Sequence, residues 1–294
     1  MKRIIIYGSI FLTLLFVAAF TQRAQLQQLW REWQQPDVEA VAYEEIGGAT
    51  TPREEEVTEE TNGTEDVEGS VEDEDEQFVD TPVDEITESE DESESIPTSD
   101  PQSQTPSEYN LAVPFTSQAP HGNWVPPYKE ACEEASALMA AFYFQKEPDG
   151  QIDPETADEE ILRIVAFEDT FFGYNADTTA AETALLIENY YHLTTELVMN
   201  PTADQLKEQI AAGYPIIMPA AGRQLGNPYF TAPGPRYHML VIKGYTEEGF
   251  ITNDPGTRHG EDYFYSTDVL LNAIHDWNGG EVELGEKVVI VVKP

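Results

Sequence analysis

The chain holds one cysteine, Cys132, and five histidines, a small stock of groups for nucleophilic chemistry. The residues around Cys132 predict a helix over Glu130–Phe144, with Cys132, Ala135, Met139 and Phe142 on one face and Leu138 beside them. Cys132 then lies in the first turn. A helix N-terminus carries partial positive charge and favours a thiolate, and its first N–H groups lack intrahelical acceptors. One position thus offers a nucleophile and half of an oxyanion hole. Glu133 and Glu134 are anions that oppose a thiolate, although helical steps of about 100° turn them away from the Cys132 face. On its own helix, Cys132 reads more readily as a small buried hydrophobe.

His238 shifts that balance. It opens a strand directly after a long loop, and Asp254 closes the next strand sixteen residues later. A hairpin turn between them brings both strand ends to one edge of a sheet, where a carboxylate can hold one imidazole nitrogen and leave the other for a thiol. Pairing centred on Glu247–Glu248 sets Asp254 opposite about Val241, so a bulge or a diagonal reach is required. Asp254-Pro255-Gly256 is equally an ordinary turn. Gln118, fourteen residues before Cys132, carries a side-chain amide that can complete an oxyanion hole. The remaining histidines, His121, His192, His259 and His275, show no H-x-H or H-x-x-x-H spacing. A site of His238, Asp254 and His259 is conceivable, but neither a metal nor another cofactor is expected.

The elements that must position these groups follow from periodicity and turn residues. Further helices are predicted over Asp158–Phe167, Thr179–Tyr191, Thr202–Ala212 and Thr267–Trp277. Strands are predicted over Tyr214–Met218, Tyr237–Tyr245, Phe250–Asn253 and Glu286–Val292, with a tight turn over 246–249. Residues 220–236 are rich in Gly and Pro and form a long irregular loop of the kind that often carries function. Trp124, Tyr229 and Phe230 are candidates to line a cleft. Helices first and antiparallel strands later is an α+β order.

The order Gln118, Cys132, His238, Asp254 resembles the papain-like superfamily, and more narrowly the bacteriocin-processing (double-glycine) cysteine peptidases. The resemblance rests on Val-Pro-Phe-Thr-Ser-Gln-Ala-Pro at 113–120, Ala-Cys-Glu-Glu-Ala-Ser at 131–136, Arg-Tyr-His-Met-Leu-Val at 236–241 and Thr-Asn-Asp-Pro-Gly-Thr at 252–257. It covers roughly 109–294. It implies a papain-like fold, a helical part carrying the cysteine packed on an antiparallel sheet carrying His and Asp. It also implies Cys132 as nucleophile, His238 as general base, Asp254 as its orienter and Gln118 as oxyanion donor, acting on a peptide or protein substrate. The better-known relatives are fused to an exporter and face the cytoplasm, whereas this chain shows no Walker loop and no further apolar span, a departure that bears on the double-glycine leader substrate and not on the chemistry.

Composition divides the chain into three parts. Residues 1–36 begin Met1-Lys2-Arg3 and continue with an apolar run from Ile4 to Phe20 and a polar, helix-prone extension. This reads as a signal anchor, with a cleaved signal peptide as the alternative, and puts the remainder outside the cytoplasm. Residues 37–108 hold 27 acidic residues against Arg53 alone, too polar to bury a core, and read as a disordered linker. Residues 109–294 are globular. The formal charge of -41 excludes nucleic-acid binding of the usual cationic kind and steers cationic peptides toward the chain. The expected activity is therefore that of a membrane-anchored extracytoplasmic thiol hydrolase. A transferase on the same triad, and a non-catalytic binding module that keeps the fold, are the alternatives; no oligomeric state is implied.

Overall fold

The computed structural model describes residues 36–46 and 105–294. The expected membrane segment at 4–20, its polar extension to 35 and most of the acidic linker lie outside these residues. Among the described residues no helix is long and apolar enough to cross a membrane.

Among the described residues, six α-helices and one sheet make up the domain. Helix α1 (Cys132–Phe144) is buried on all faces up to Tyr143, not along one stripe as its pattern suggests. It packs on the central strand of the sheet and so acts as a core helix. Helix α2 (Pro154–Phe171) begins earlier than periodicity indicates, because Asp153 caps it by accepting from Thr156 N–H and Pro154 supplies a preset first turn. Helix α3 (Ala180–Leu186) and helix α4 (Ala203–Ala211) each start with a capping box, Thr179 with Glu182 and Thr202 with Gln205. A π turn over Ile187–Tyr191 ends the first of these. Helix α5 (Gly222–Leu225) is a single turn inside the Gly/Pro-rich loop, and α6 (Thr267–Ala273) ends before Trp277.

The strands are β1 (Tyr109–Asn110), β2 (Thr194–Met199), β3 (Ile216–Ala221), β4 (Tyr237–Tyr245), β5 (Gly249–Asn253), β6 (Tyr263–Ser266) and β7 (Val288–Lys293). All pair antiparallel in the order β2-β7-β3-β4-β5-β6, and β1 adds to β4. This is the papain-like α+β arrangement, with the cysteine on a core helix and the histidine on the sheet beneath it.

One irregularity decides what the sheet can do. Near the hairpin, Tyr245 pairs with Phe250 and Gly244 with Ile251, but farther on Ile242 pairs with Thr252 and Val241 with Asn253. Lys243 is the extra residue of a β-bulge. Because side chains alternate between faces, one inserted residue moves everything beyond it to the other face. Without the bulge Asp254 would follow Val241, on the face away from His238. With it, Asp254 follows Leu240 and shares the face of His238, within diagonal reach. Beside the bulge Gly244 must lack a side chain, since a Cβ there would come within 2.7 Å of Tyr109 O on β1.

Residues 36–46, expected to belong mostly to the linker, are packed on the domain. Val41 bridges Leu111, and its N–H donates to Asn110 O at 2.8 Å. Tyr43 meets Tyr143 and Phe144 edge-on, with centroids 5.7 and 5.0 Å away. These contacts sit at the C-terminal end of α1, roughly 18 Å along the helix from Cys132.

Candidate active site

Cys132 opens α1 behind a 3₁₀ turn, Tyr128–Glu130, and its N-cap is Ala131, which has no side-chain acceptor to offer. The first-turn N–H groups are left without a local side-chain cap, as an oxyanion site at this end requires. Gln118 stands beside this turn. Its Nε2 donates to Tyr128 O at 2.9 Å and Lys129 O at 3.0 Å, so both amide hydrogens are engaged by the main chain. In this arrangement Gln118 fixes the entry to α1, and donating to an oxyanion would need one of those bonds to be released.

The thiol is not activated in the resting state. Burial pushes the Cys132 thiol well above its ordinary range, and the neighbouring Glu133 pushes it further; the Met239 main chain offsets this in part. The Cys132 thiol donates to Glu133 Oε2 at 3.0 Å, so Glu133 does not turn away from the sulfur as helical steps alone suggest. Two more buried acids lie behind it. Burial raises the Glu133 carboxyl to about 8 and Glu168 to about 7, and it raises Glu134 well above the carboxylate range with help from both neighbours. Glu134 and Glu168 lie close enough to raise one another, and none of their four buried carboxyl oxygens has a hydrogen-bond partner among the described residues, a setting that favours the neutral, protonated forms.

The base is held from the other side. His238, on β4, has its Nε2 2.8 Å from Asp254 Oδ1, and both side chains are buried. Burial alone would raise Asp254, but the His238 imidazole, then Tyr265 and Asn227, hold it below the ordinary range. Tyr265 Oη donates to Asp254 Oδ2 at 2.6 Å, Asn227 Nδ2 donates to the same oxygen at 3.0 Å, and Gly256 N–H donates to Oδ1 at 3.0 Å. An ionised carboxylate only accepts, so His238 Nε2 carries the proton and Nδ1 is left as the basic nitrogen. Phe230 stands edge-on to the imidazole with centroids 5.3 Å apart.

A cleft of about 580 Å³ is lined by Gln118, Cys132 and His238 together, with Trp124, Phe230 and Trp277 on its walls. Asp254 sits behind His238, out of the cleft. Tyr229 lines a neighbouring cavity instead. His192 and His275 lie elsewhere, and His275 Nδ1 is 3.0 Å from Gly285 O. Among the described residues no three His, Cys, Asp or Glu groups are arranged to hold a metal ion.

A comparison with protein families matches residues 110–279, well over half of the chain, to the Peptidase_C39 like family. The chain belongs to that family. It is cysteine peptidase-like, and the residues that line the cleft are of the types such an enzyme uses. Among solved structures the chain is similar to a crystal structure assigned to the C39-like peptidases, from Bacillus anthracis, at 16% identity over 64% of this chain and 98% of that one, with a TM-score of 0.42. No curated protein matches the sequence.

Three residues of this Peptidase_C39-like site escape a reading of the sequence. Asn227 lies in the Gly/Pro-rich loop, where Asn before Pro signals a turn and nothing more; indeed its Oδ1 accepts from Tyr229 N–H at 3.0 Å. Tyr265 lies on β6, whose run Tyr263-Phe264-Tyr265 is a strand signal that periodicity over the flanking residues does not single out. Asn253 donates to Val113 O and Pro114 O at 2.9 and 3.2 Å, tying the segment that leads to Gln118 onto the sheet. Gly256 has a further reason to be glycine, since a Cβ would lie 2.8 Å from His238 Cε1.

Proposed function

We propose that this chain is a membrane-anchored cysteine peptidase acting outside the cytoplasm through Cys132, His238 and Asp254. The observation that carries the catalytic part is that an imidazole anchored on an ionised carboxylate and a thiol at a helix N-terminus open onto one cleft. As a peptide carbonyl enters, His238 Nδ1 takes the Cys132 proton while Sγ attacks the carbonyl carbon. The oxyanion is held by the Cys132 N–H and, once one of its main-chain bonds is given up, by Gln118 Nε2. His238 then returns the proton to the departing amine, and water releases the acyl group from sulfur.

A resting thiolate–imidazolium pair is not part of this reading. The buried thiol beside Glu133 favours a neutral Cys132, so the proton transfer belongs to the chemical step. The anchor and the location rest on the basic start and apolar run at 2–20. Full-length protein is to be incubated with a peptide library, with Cys132→Ala and His238→Ala alongside, and new termini read by mass spectrometry. Cleavage by the wild type alone supports the reading. Equal cleavage by Cys132→Ala, or none by any of the three, defeats it.

A further inference from the structure

A second, larger cavity of about 840 Å³ adjoins the catalytic cleft, and the two share Trp124, Thr231 and Gly256 as lining. The charge of the cavity runs against that of the molecule. Residues 109–294 hold 28 acidic and 10 basic side chains, yet the lining has no Asp or Glu; it has Arg258, His121 and His259. Two acids contact lining residues from outside. Glu155 is 3.7 Å from His121, and Glu261 accepts from Gln151 at 2.6 Å. Among the described residues neither forms an ion pair with Arg258.

The cavity is also built onto the base. Arg258 and His259 lie on the turn that follows Asp254, and that turn is locked at several points. Asp254 N–H donates to Gly260 O at 2.9 Å, Gly256 N–H to Asp254 Oδ1, and Gln118 N–H to Pro255 O at 3.0 Å. The facing wall hangs from the same carboxylate through Asn227, whose Oδ1 holds Tyr229; the Tyr229 ring stacks on His259 with centroids 4.6 Å apart. The main chain that carries the Arg258 cation is thus held in place along the cleft, on a frame that does not have to reorganise when substrate arrives.

We infer that this cavity is a substrate subsite for a side-chain carboxylate, an Asp or Glu of the peptide, with Arg258 as the residue that reads it. The inference deepens the peptidase reading and rests on it for the direction in which the substrate runs. It opposes what the net charge suggests, since long-range steering favours cationic peptides; the pocket decides at contact distance. Arg forks match carboxylates in a two-point geometry that Lys does not reproduce.

The test measures binding apart from cleavage. Full-length Cys132→Ala protein is equilibrated with a random hexapeptide library, and the retained peptides are sequenced. Asp or Glu should be enriched about fivefold to tenfold at one position, as an exposed charge-assisted pair allows. In Cys132→Ala/Arg258→Glu the same position should turn to Lys or Arg, and 0.5 M salt should weaken both preferences. No acidic enrichment, or enrichment untouched by Arg258→Glu, overturns the subsite. If acidic peptides are retained through Arg258 while wild-type protein cleaves none of the library, the subsite stands and the peptidase reading falls.

Discussion

Replacing Glu133 with Gln should accelerate reaction of the Cys132 thiol at alkaline pH and leave it nearly unchanged at neutral pH. Glu133 Oε2 lies 3.0 Å from the sulfur, and both groups are buried. With the carboxylate charge spread over two oxygens, the anions would stand roughly 4 Å apart and repel by about 4 kcal/mol at an effective dielectric of about 20, a penalty of about a thousandfold. The reactive species in the wild type is therefore a thiolate beside a protonated Glu133. Burial raises that carboxyl to about 8. Below this pH, alkylation should rise with pH as for any thiol; above it, each further proton lost comes from Glu133, and the rate should level off. At pH 9 only about a tenth of the molecules keep Glu133 protonated. Glu133→Gln preserves size and an acceptor for the thiol but cannot ionise, so its rate should keep climbing. The assay is pseudo-first-order alkylation with iodoacetamide, free of background because the chain has no other cysteine. The expected ratio of variant to wild type is close to one at pH 7 and about ten at pH 9. A ratio that stays constant over this range, or a wild-type rate that climbs through pH 8 without a break, would refute the reasoning.

The three raised glutamates also set the pH dependence of stability. Carboxyls whose folded-state values exceed their unfolded ones bind more protons when folded, so their contribution is complete below about 4.5 and is lost as pH rises to about 7 for Glu168 and about 8 for Glu133. The melting temperature should fall between pH 5 and pH 8, and Glu168→Gln should flatten that fall; a melting temperature that climbs across the window contradicts the burial argument. Asp254 acts in the opposite sense, because its depressed value gives stability above the usual carboxylate range that is lost only in stronger acid. Tyr265→Phe removes one donor from Asp254 Oδ2 and should cost about 1.5–3 kcal/mol in denaturant unfolding; a change within error would mean that Asn227 suffices. Gly256→Ala drives a methyl toward His238 Cε1 and should depress kcat for any cleaved peptide more than it changes unfolding, whereas unchanged turnover would show that the ring has room to shift.

Much of this protein is legible where the physics is local. The capping boxes at Thr179 and Thr202 announce their helices because a cap and its partner lie within one turn. Likewise, the strands carrying His238 and leading to Asp254 follow from alternation and a tight turn, whereas the packing of residues 36–46 on the domain does not follow from their acidic composition. The order of Gln118, Cys132, His238 and Asp254 is likewise written in the chain. What depends on contacts between distant segments is not. Whether Asp254 faces His238 turns on a single bulged residue, Lys243, and a one-residue change in register reverses the face without altering the pattern of apolar residues. The chemistry of Cys132 turns on burial: a helix N-terminus by itself promises a thiolate, but α1 is enclosed on every side and brings Glu133 to the sulfur. Desolvation and a carboxylate at contact distance outweigh a partial helix charge, and neither can be known until the rest of the chain has closed around the site.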